Sequence, residues 1–203
     1  MTLLLLIRHG ENEYTRTGKL AGWTPGVHLN EAGQKQAQAL AARLNKVPLA
    51  AIYSSPLERA RETAEPLAQA KHLPVRVLSG LGEVSYGQWQ GKSLKALART
   101  KLWQVVQRQP SAMEFPEGET LRAVQARGVD AAEHIASEHP KAVVAAFSHG
   151  DVIKLIAAHS LGMPLDLFQR LIISTGSITA VRLGPGQPPI LVKLNDTGNA
   201  EIK

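Results

Sequence analysis

Apolar positions along the chain fall into two patterns, unbroken short runs and stripes at helical spacing. Leu3–Ile7, Ala50–Tyr53 and Ala142–Phe147 are runs of the first kind, with the signature of strands buried on both faces of a parallel sheet. Val75–Val77 predicts a shorter strand. Ala37, Leu40, Ala41 and Leu44 recur at helical spacing and predict a helix over about 31–45, with Asn30 as its N-cap. Leu121, Val124, Gly128, Ala131 and Ile135 predict another over 120–138, with His134 and His139 on its surface near the end. A further helix, 151–161, is closed by Gly162 and Pro164. Ser55 and Glu58 have capping-box spacing around Pro56, a strong helix start that Pro66 should kink or interrupt. Segments 171–174, 178–183 and 190–194 alternate apolar and polar residues. The Gly184–Pro189 turn between the last two predicts an antiparallel hairpin at the sheet edge.

Between these elements lie two irregular stretches. Residues 13–29 form a long connection rich in Gly, Thr and Pro, and residues 92–117 a small helical insertion. Long loops inside compact domains are usually functional or disordered. The first stretch begins directly after the polar end of the first strand, which favours function. No repeat, low-complexity tract or interdomain linker interrupts the 203 residues, so one domain over 1–203 is expected.

Composition narrows the chemistry. The chain has no cysteine, which excludes disulfides, thiolate catalysis and Cys-based metal sites. The opening apolar run lacks a basic flank and is cut short by Arg8-His9, so neither a signal peptide nor a membrane span is expected, and a cytoplasmic location is the default. A net charge of +6 raises the question of nucleic acid. The basic residues are scattered, however, and only three each of Phe, Trp and Tyr are present, so no nucleic-acid partner is expected. A solvated basic surface that favours small anions accounts for the charge.

Polar residues cluster where apolar runs end. The first run closes on Arg8-His9-Gly10-Glu11 and the third on Ser148-His149-Gly150-Asp151. The C-terminal ends of strands are where open α/β sheets bind ligands, and parallel neighbours would bring both histidines to one rim. Arginine offers a donor fork that fits phosphate, glycine lets the backbone approach a ligand, and histidine supplies a nitrogen nucleophile near neutral pH. Arg59 stands in the first turn of its helix, where a cation opposes the dipole, so helix stability does not account for it.

Leu-Ile-Arg-His-Gly-Glu at 6–11 resembles the opening signature of the histidine phosphatase superfamily, which includes the cofactor-dependent phosphoglycerate mutases. Three further stretches match in order: Ser54-Ser55-Pro56-Leu57-Glu58-Arg59-Ala60, Leu81-Gly82-Glu83 through Gly87-Gln88-Trp89-Gln90-Gly91, and Phe147-Ser148-His149-Gly150-Asp151-Val152-Ile153. The resemblance covers nearly the whole chain. It implies a three-layer α/β/α sandwich around a mostly parallel sheet with an antiparallel edge.

It also implies a reaction, phosphate monoester hydrolysis through a phosphohistidine, with neither metal nor cofactor. His9 would be the nucleophile and Glu83 the proton carrier, with Arg8, Arg59 and His149 stabilising charge. Substrate contacts are expected from Arg8, Gly10, Asn12, Thr15, Gly22, Arg59, His149 and Gly150, the substrate being a small phosphorylated metabolite. Oligomeric state stays open, a homodimer included. Two positions depart from the family pattern. Thr15 replaces the usual asparagine, and its hydroxyl could still donate to phosphate. Glu117 replaces a usual glycine and would add negative charge near the phosphate. Two alternatives stand beside the phosphatase, a phosphoglycerate mutase and a non-catalytic phospho-ligand binding protein. A metal hydrolase built on His9 and His149 is disfavoured, because no acidic cluster is evident around them in sequence.

Overall fold

The computed structural model describes residues 1–198. Six strands form one mixed sheet: β1 (Thr2–Arg8), β2 (Leu49–Ser54), β3 (Val75–Val77), β4 (Val143–Ser148), β5 (Ile178–Leu183) and β6 (Ile190–Asp196). Their order is β3-β2-β4-β1-β5-β6. The β3/β2, β2/β4 and β4/β1 pairs are parallel, whereas β1/β5 and β5/β6 are antiparallel. The unbroken apolar runs therefore occupy the centre, as burial on both faces requires.

Alternate residues of each central strand feed two cores. Leu5, Ile7, Ile52, Ala145 and Phe147 pack with α2 (Glu31–Leu44) and α3 (Glu58–Lys71) on one face. Leu4, Leu6, Tyr53, Val144 and Ala146 pack on the other with α6 (Leu121–Glu138) and α7 (Gly150–Ser160). The result is the expected α/β/α layering. Among the described residues no helix is long and apolar enough to cross a membrane.

Several local expectations need correction. Segment 171–174 is not a strand. Its Ile173 carbonyl accepts from Arg8 Nη1 at 2.5 Å and its Ser174 N–H donates to the Asn195 side chain at 2.6 Å, so its backbone is committed outside any ladder. Ser55 does not cap α3. That helix starts at Glu58, Leu57 is its N-cap, and the cap makes no side-chain bond. Pro66 neither ends nor interrupts α3, because Ala60, Ala64, Leu67 and Ala68 anchor both flanks in the core and outweigh one missing N–H. His139 is half-buried rather than on the surface, and its Nε2 lies 3.0 Å from the Tyr53 hydroxyl.

The two irregular stretches lean on each other. Residues 13–29 open with a one-turn helix, α1 (Glu13–Arg16), capped by Asn12. A bridge from Lys19 to Ser93 then ties this segment to the insertion, which holds α4 (Leu94–Leu97) and α5 (Lys101–Arg108). Together they wall the open rim above the sheet.

Candidate active site

Register builds the site. Arg8 is paired with Ser148 across β1/β4, and Ser54 with Phe147 across β2/β4. The residues that follow, His9, His149 and Ser55, therefore emerge at one rim. The two imidazole centroids are 5.1 Å apart and tilted by 58°. Close backbone packing fixes the turn after β1: a Cβ on Gly10 would lie 2.7 Å from the Gly33 carbonyl oxygen, and one on Gly33 only 2.1 Å from that of Glu11. At Gly150 the approach is looser: a Cβ there would lie 3.2 Å from the Arg8 guanidinium and push it by a few tenths of an ångström.

Hydrogen bonds assign the tautomers. His9 Nδ1 lies 2.7 Å from the Gly10 carbonyl, which can only accept, so Nδ1 carries the proton and Nε2 keeps a free lone pair. Arg59 Nη2 lies 3.3 Å from His149 Nδ1 and can only donate, so His149 carries its proton on Nε2 and gives it to Ser55 Oγ at 2.7 Å. Burial, reinforced by the charges of Arg59 and Arg8, holds the His9 pKa well below its ordinary value. His149 is depressed by burial, then by Arg59, His9 and Arg8. Both rings are neutral at neutral pH.

Glu83 is the opposite case. Burial, then the charge of Asp151, raises its pKa to about 7 against the pull of Arg59. Its Oε1 accepts from the Val84 N–H at 2.9 Å, and its Oε2 stands 3.7 Å from His149 Nδ1. The loop carrying it is clamped by Arg127, which donates to the carbonyls of Gly80, Gly82 and Glu83 at 3.0, 2.7 and 2.9 Å. Glu119 holds that arginine in turn at 2.7 Å, and Trp23 Nε1 caps the Glu83 carbonyl at 2.6 Å.

Unpaired donors face this centre. Arg8 Nε, Arg59 Nε and Nη1, and Asn12 Nδ2 are buried with no partner. Leaving such a group unmet costs about 1–3 kcal/mol each. All three residues line the same cavity, together with His9 and Glu83. Four unmet N–H donors on the lining of the cavity that also holds His9 describe a receptor for an anion with several oxygens.

Residues 4–197 match the family model of the histidine phosphatase superfamily (branch 1). The chain belongs to the histidine phosphatase superfamily. It is 32% identical over 202 residues to phosphoserine phosphatase 1 of Hydrogenobacter thermophilus, a match covering 97% of this chain and 93% of that protein. It is 34% identical over 161 residues to a metal-independent phosphoserine phosphatase of Arabidopsis thaliana, covering 77% and 67%. Among solved structures, YhfR of Bacillus stearothermophilus superposes with a TM-score of 0.89 at 29% identity, covering 97% of this chain and 98% of that one. A phosphoserine phosphatase mutant from Entamoeba histolytica, in complex with phosphoserine, superposes with a TM-score of 0.88 at 26% identity, covering 97% and 98%. This histidine phosphatase is a hydrolase of phosphate monoesters.

Not every residue expected to touch substrate is placed to do so. Arg8, His9, Asn12, Arg59, Glu83 and Gly150 line the cavity. Gly10 works on His9 instead: its carbonyl fixes the ring, and its N–H donates to Thr63 Oγ1 at 2.9 Å. Gly22 accepts from Arg59 Nη2 at 2.9 Å and so orients that guanidinium. Thr15 lines the cavity, but its hydroxyl is closed in a capping box, accepting from the Asn12 N–H at 3.0 Å and donating to the Asn12 carbonyl at 2.9 Å. It orders Asn12 and has no proton left for phosphate. Glu117 is exposed, adopts φ 57° and accepts from Gln88 Nε2 at 2.8 Å, so its charge is spent outside the site.

Three contributors escape a reading of the sequence. Ser55 has capping spacing but bonds His149, whereas Arg127 and Glu119 lie on or beside a helix far along the chain from Glu83. Sequence shows no acidic cluster around the two histidines, yet the fold brings Glu83 to them, with one ligand atom from each within 4.8 Å of the others. That triplet could hold a metal ion in isolation. Two guanidiniums share its space, and every unmet donor in it is an N–H, a set that fits an anion and opposes a cation.

Proposed function

We propose that this phosphatase works through a phosphohistidine on His9, with Arg8, Arg59 and Asn12 holding the transferred group, His149 accepting from Arg59 Nη2 and so steadying that guanidinium, and Glu83 moving the proton. The unpaired donors around the free Nε2 of His9 carry this reading. Phosphoryl transfer spreads negative charge over three equatorial oxygens, so catalysis rests on positioning and positive field. Two arginines supply that field without a metal.

In the first step His9 Nε2 attacks phosphorus in line and the P–O ester bond breaks. The leaving oxygen takes the proton of the Glu83 carboxyl. Water then attacks the phosphohistidine, its proton passes to the Glu83 carboxylate, and the P–N bond breaks to release phosphate. A pKa of about 7 suits both halves, since the group must give a proton and then take one near neutral pH. The substrate is a small phosphorylated metabolite, in keeping with the phosphoserine held by the Entamoeba relative.

The test is to quench wild type and His9→Ala milliseconds after mixing with a phosphate ester. Wild type should yield acid-labile, base-stable protein phosphate, and His9→Ala should yield none and turn over at background. EDTA should leave the wild-type rate unchanged. Near-normal turnover by His9→Ala overturns the assignment. A mutase is checked in the same assay with 3-phosphoglycerate and a trace of 2,3-bisphosphoglycerate: phosphate should appear without 2-phosphoglycerate.

A further inference from the structure

Beyond the phosphate end the cavity changes character. Its volume of about 500 Å³ lies in the range that encloses drug-sized ligands and far exceeds what a phosphoryl group fills. Leu20, Leu94, Trp103, Phe168, Leu171 and Ile172 line it, contributed by the stretch after His9, the insertion, and the chain around the segment that fails to become a strand. Trp103 is braced by stacking on Trp89, ring centroids 6.2 Å apart and planes 27° from parallel. Leu94 and Ile172 keep 38% and 69% of their surface exposed, large for leucine and isoleucine.

Charge in this outer part is sparse. Among the described residues the only arginines on the cavity are Arg8 and Arg59, both at the phosphate end. A bidentate arginine is the side chain best suited to hold a carboxylate in fixed geometry. The two lysines do not replace it. Lys154 is already engaged, 3.2 Å from Asp151 Oδ1 and 3.2 Å from Gln169 Oε1, and Lys19 is exposed, where a single ion pair is weak.

We infer that the leaving group this site accepts best is a bulky, uncharged and largely apolar alcohol, aromatic or branched aliphatic, rather than the small carboxylate-bearing group of phosphoserine or 3-phosphoglycerate. The apolar walls favour such a body by removing its surface from water, and they offer a carboxylate no return for its desolvation. The inference rests on the phosphohistidine reading, because it takes the arginine end as the place of the phosphate.

The experiment compares kcat/KM for 2-(1-naphthyl)ethyl phosphate, ethyl phosphate, phosphoserine and 3-phosphoglycerate, all esters of primary alcohols, with p-nitrophenyl phosphate as a chemically undemanding reference. The naphthylethyl ester should exceed ethyl phosphate and phosphoserine at least tenfold. Ile172→Ser and Leu94→Ser, at exposed positions that leave the core intact, should each cut that ratio severalfold. Phosphoserine or 3-phosphoglycerate turned over as fast as the naphthylethyl ester, or a ratio unmoved by both variants, overturns the inference and leaves the phosphatase reading standing. If p-nitrophenyl phosphate and every other ester release no phosphate, the phosphohistidine reading fails and the inference with it.

Discussion

Glu83→Gln should change the stability of the protein by an amount that depends strongly on pH. The buried Glu83 carboxyl has its pKa raised from 4.5 to about 7 by burial and then by Asp151. The folded state therefore binds its proton more tightly than the unfolded chain does. The sign follows from linkage: Glu83 costs nothing electrostatically below about 4.5, and the protein loses stability as pH climbs from there through 7. At about 1.4 kcal/mol per tenfold change in proton concentration, the raised value corresponds to roughly 3 kcal/mol lost by pH 8. Glutamine keeps the shape and cannot ionise, so the loss disappears. Urea unfolding of wild type and Glu83→Gln at pH 5 and pH 8 measures it. The variant should gain about 2–3 kcal/mol on wild type between the two pH values. Titrations of His9 and His149 occur in both proteins and largely cancel in that double difference. A stability difference equal at pH 5 and pH 8 refutes the claim that Glu83 is buried with a raised pKa. The same variant should lose far more activity on alkyl phosphates than on p-nitrophenyl phosphate, whose leaving oxygen scarcely needs a proton.

Ser55→Ala removes the acceptor of the His149 Nε2 proton at 2.7 Å and should lower kcat about tenfold, the scale of about 1.4 kcal/mol for one buried hydrogen bond. An unchanged kcat would show that Arg59 alone orients the ring. Arg127→Met releases the carbonyls of Gly80, Gly82 and Glu83. It should displace the alkaline limb of the pH–rate profile for alkyl phosphates, and a profile that keeps its shape at reduced height would mean a purely structural role. Gly33→Ala puts a Cβ 2.1 Å from the Glu11 carbonyl oxygen, a backbone clash worth about 2 kcal/mol or more. Thermal unfolding should fall by several degrees, and an unaltered midpoint would show that the turn after His9 can relax.

Much of this protein could be read from sequence because the signals were local. The three unbroken apolar runs became the central strands β1, β2 and β4, and Asn30 caps α2 as its side-chain chemistry dictates. Arg8, His9, Arg59, Glu83 and His149 were identifiable because each stands at a strand's end or inside a family signature. Tertiary structure decided what those local signals left degenerate. Ser55 has the spacing of a cap, yet its hydroxyl reaches only the Leu57 N–H at 3.3 Å, and parallel pairing of β2 with β4 set it beside His149. Segment 171–174 alternates like a strand, but the Arg8 guanidinium claimed the Ile173 carbonyl that a ladder would need. Thr15 could have donated to a ligand, and Glu117 could have faced the phosphate. One is held by the Asn12 backbone and the other turned outward by a left-handed residue. The raised pKa of Glu83 has no sequence signature at all. It arises only when Glu83 is buried beside Asp151, Arg59 and Arg8, brought together from four separate segments, because desolvation and Coulomb coupling depend on distances in space.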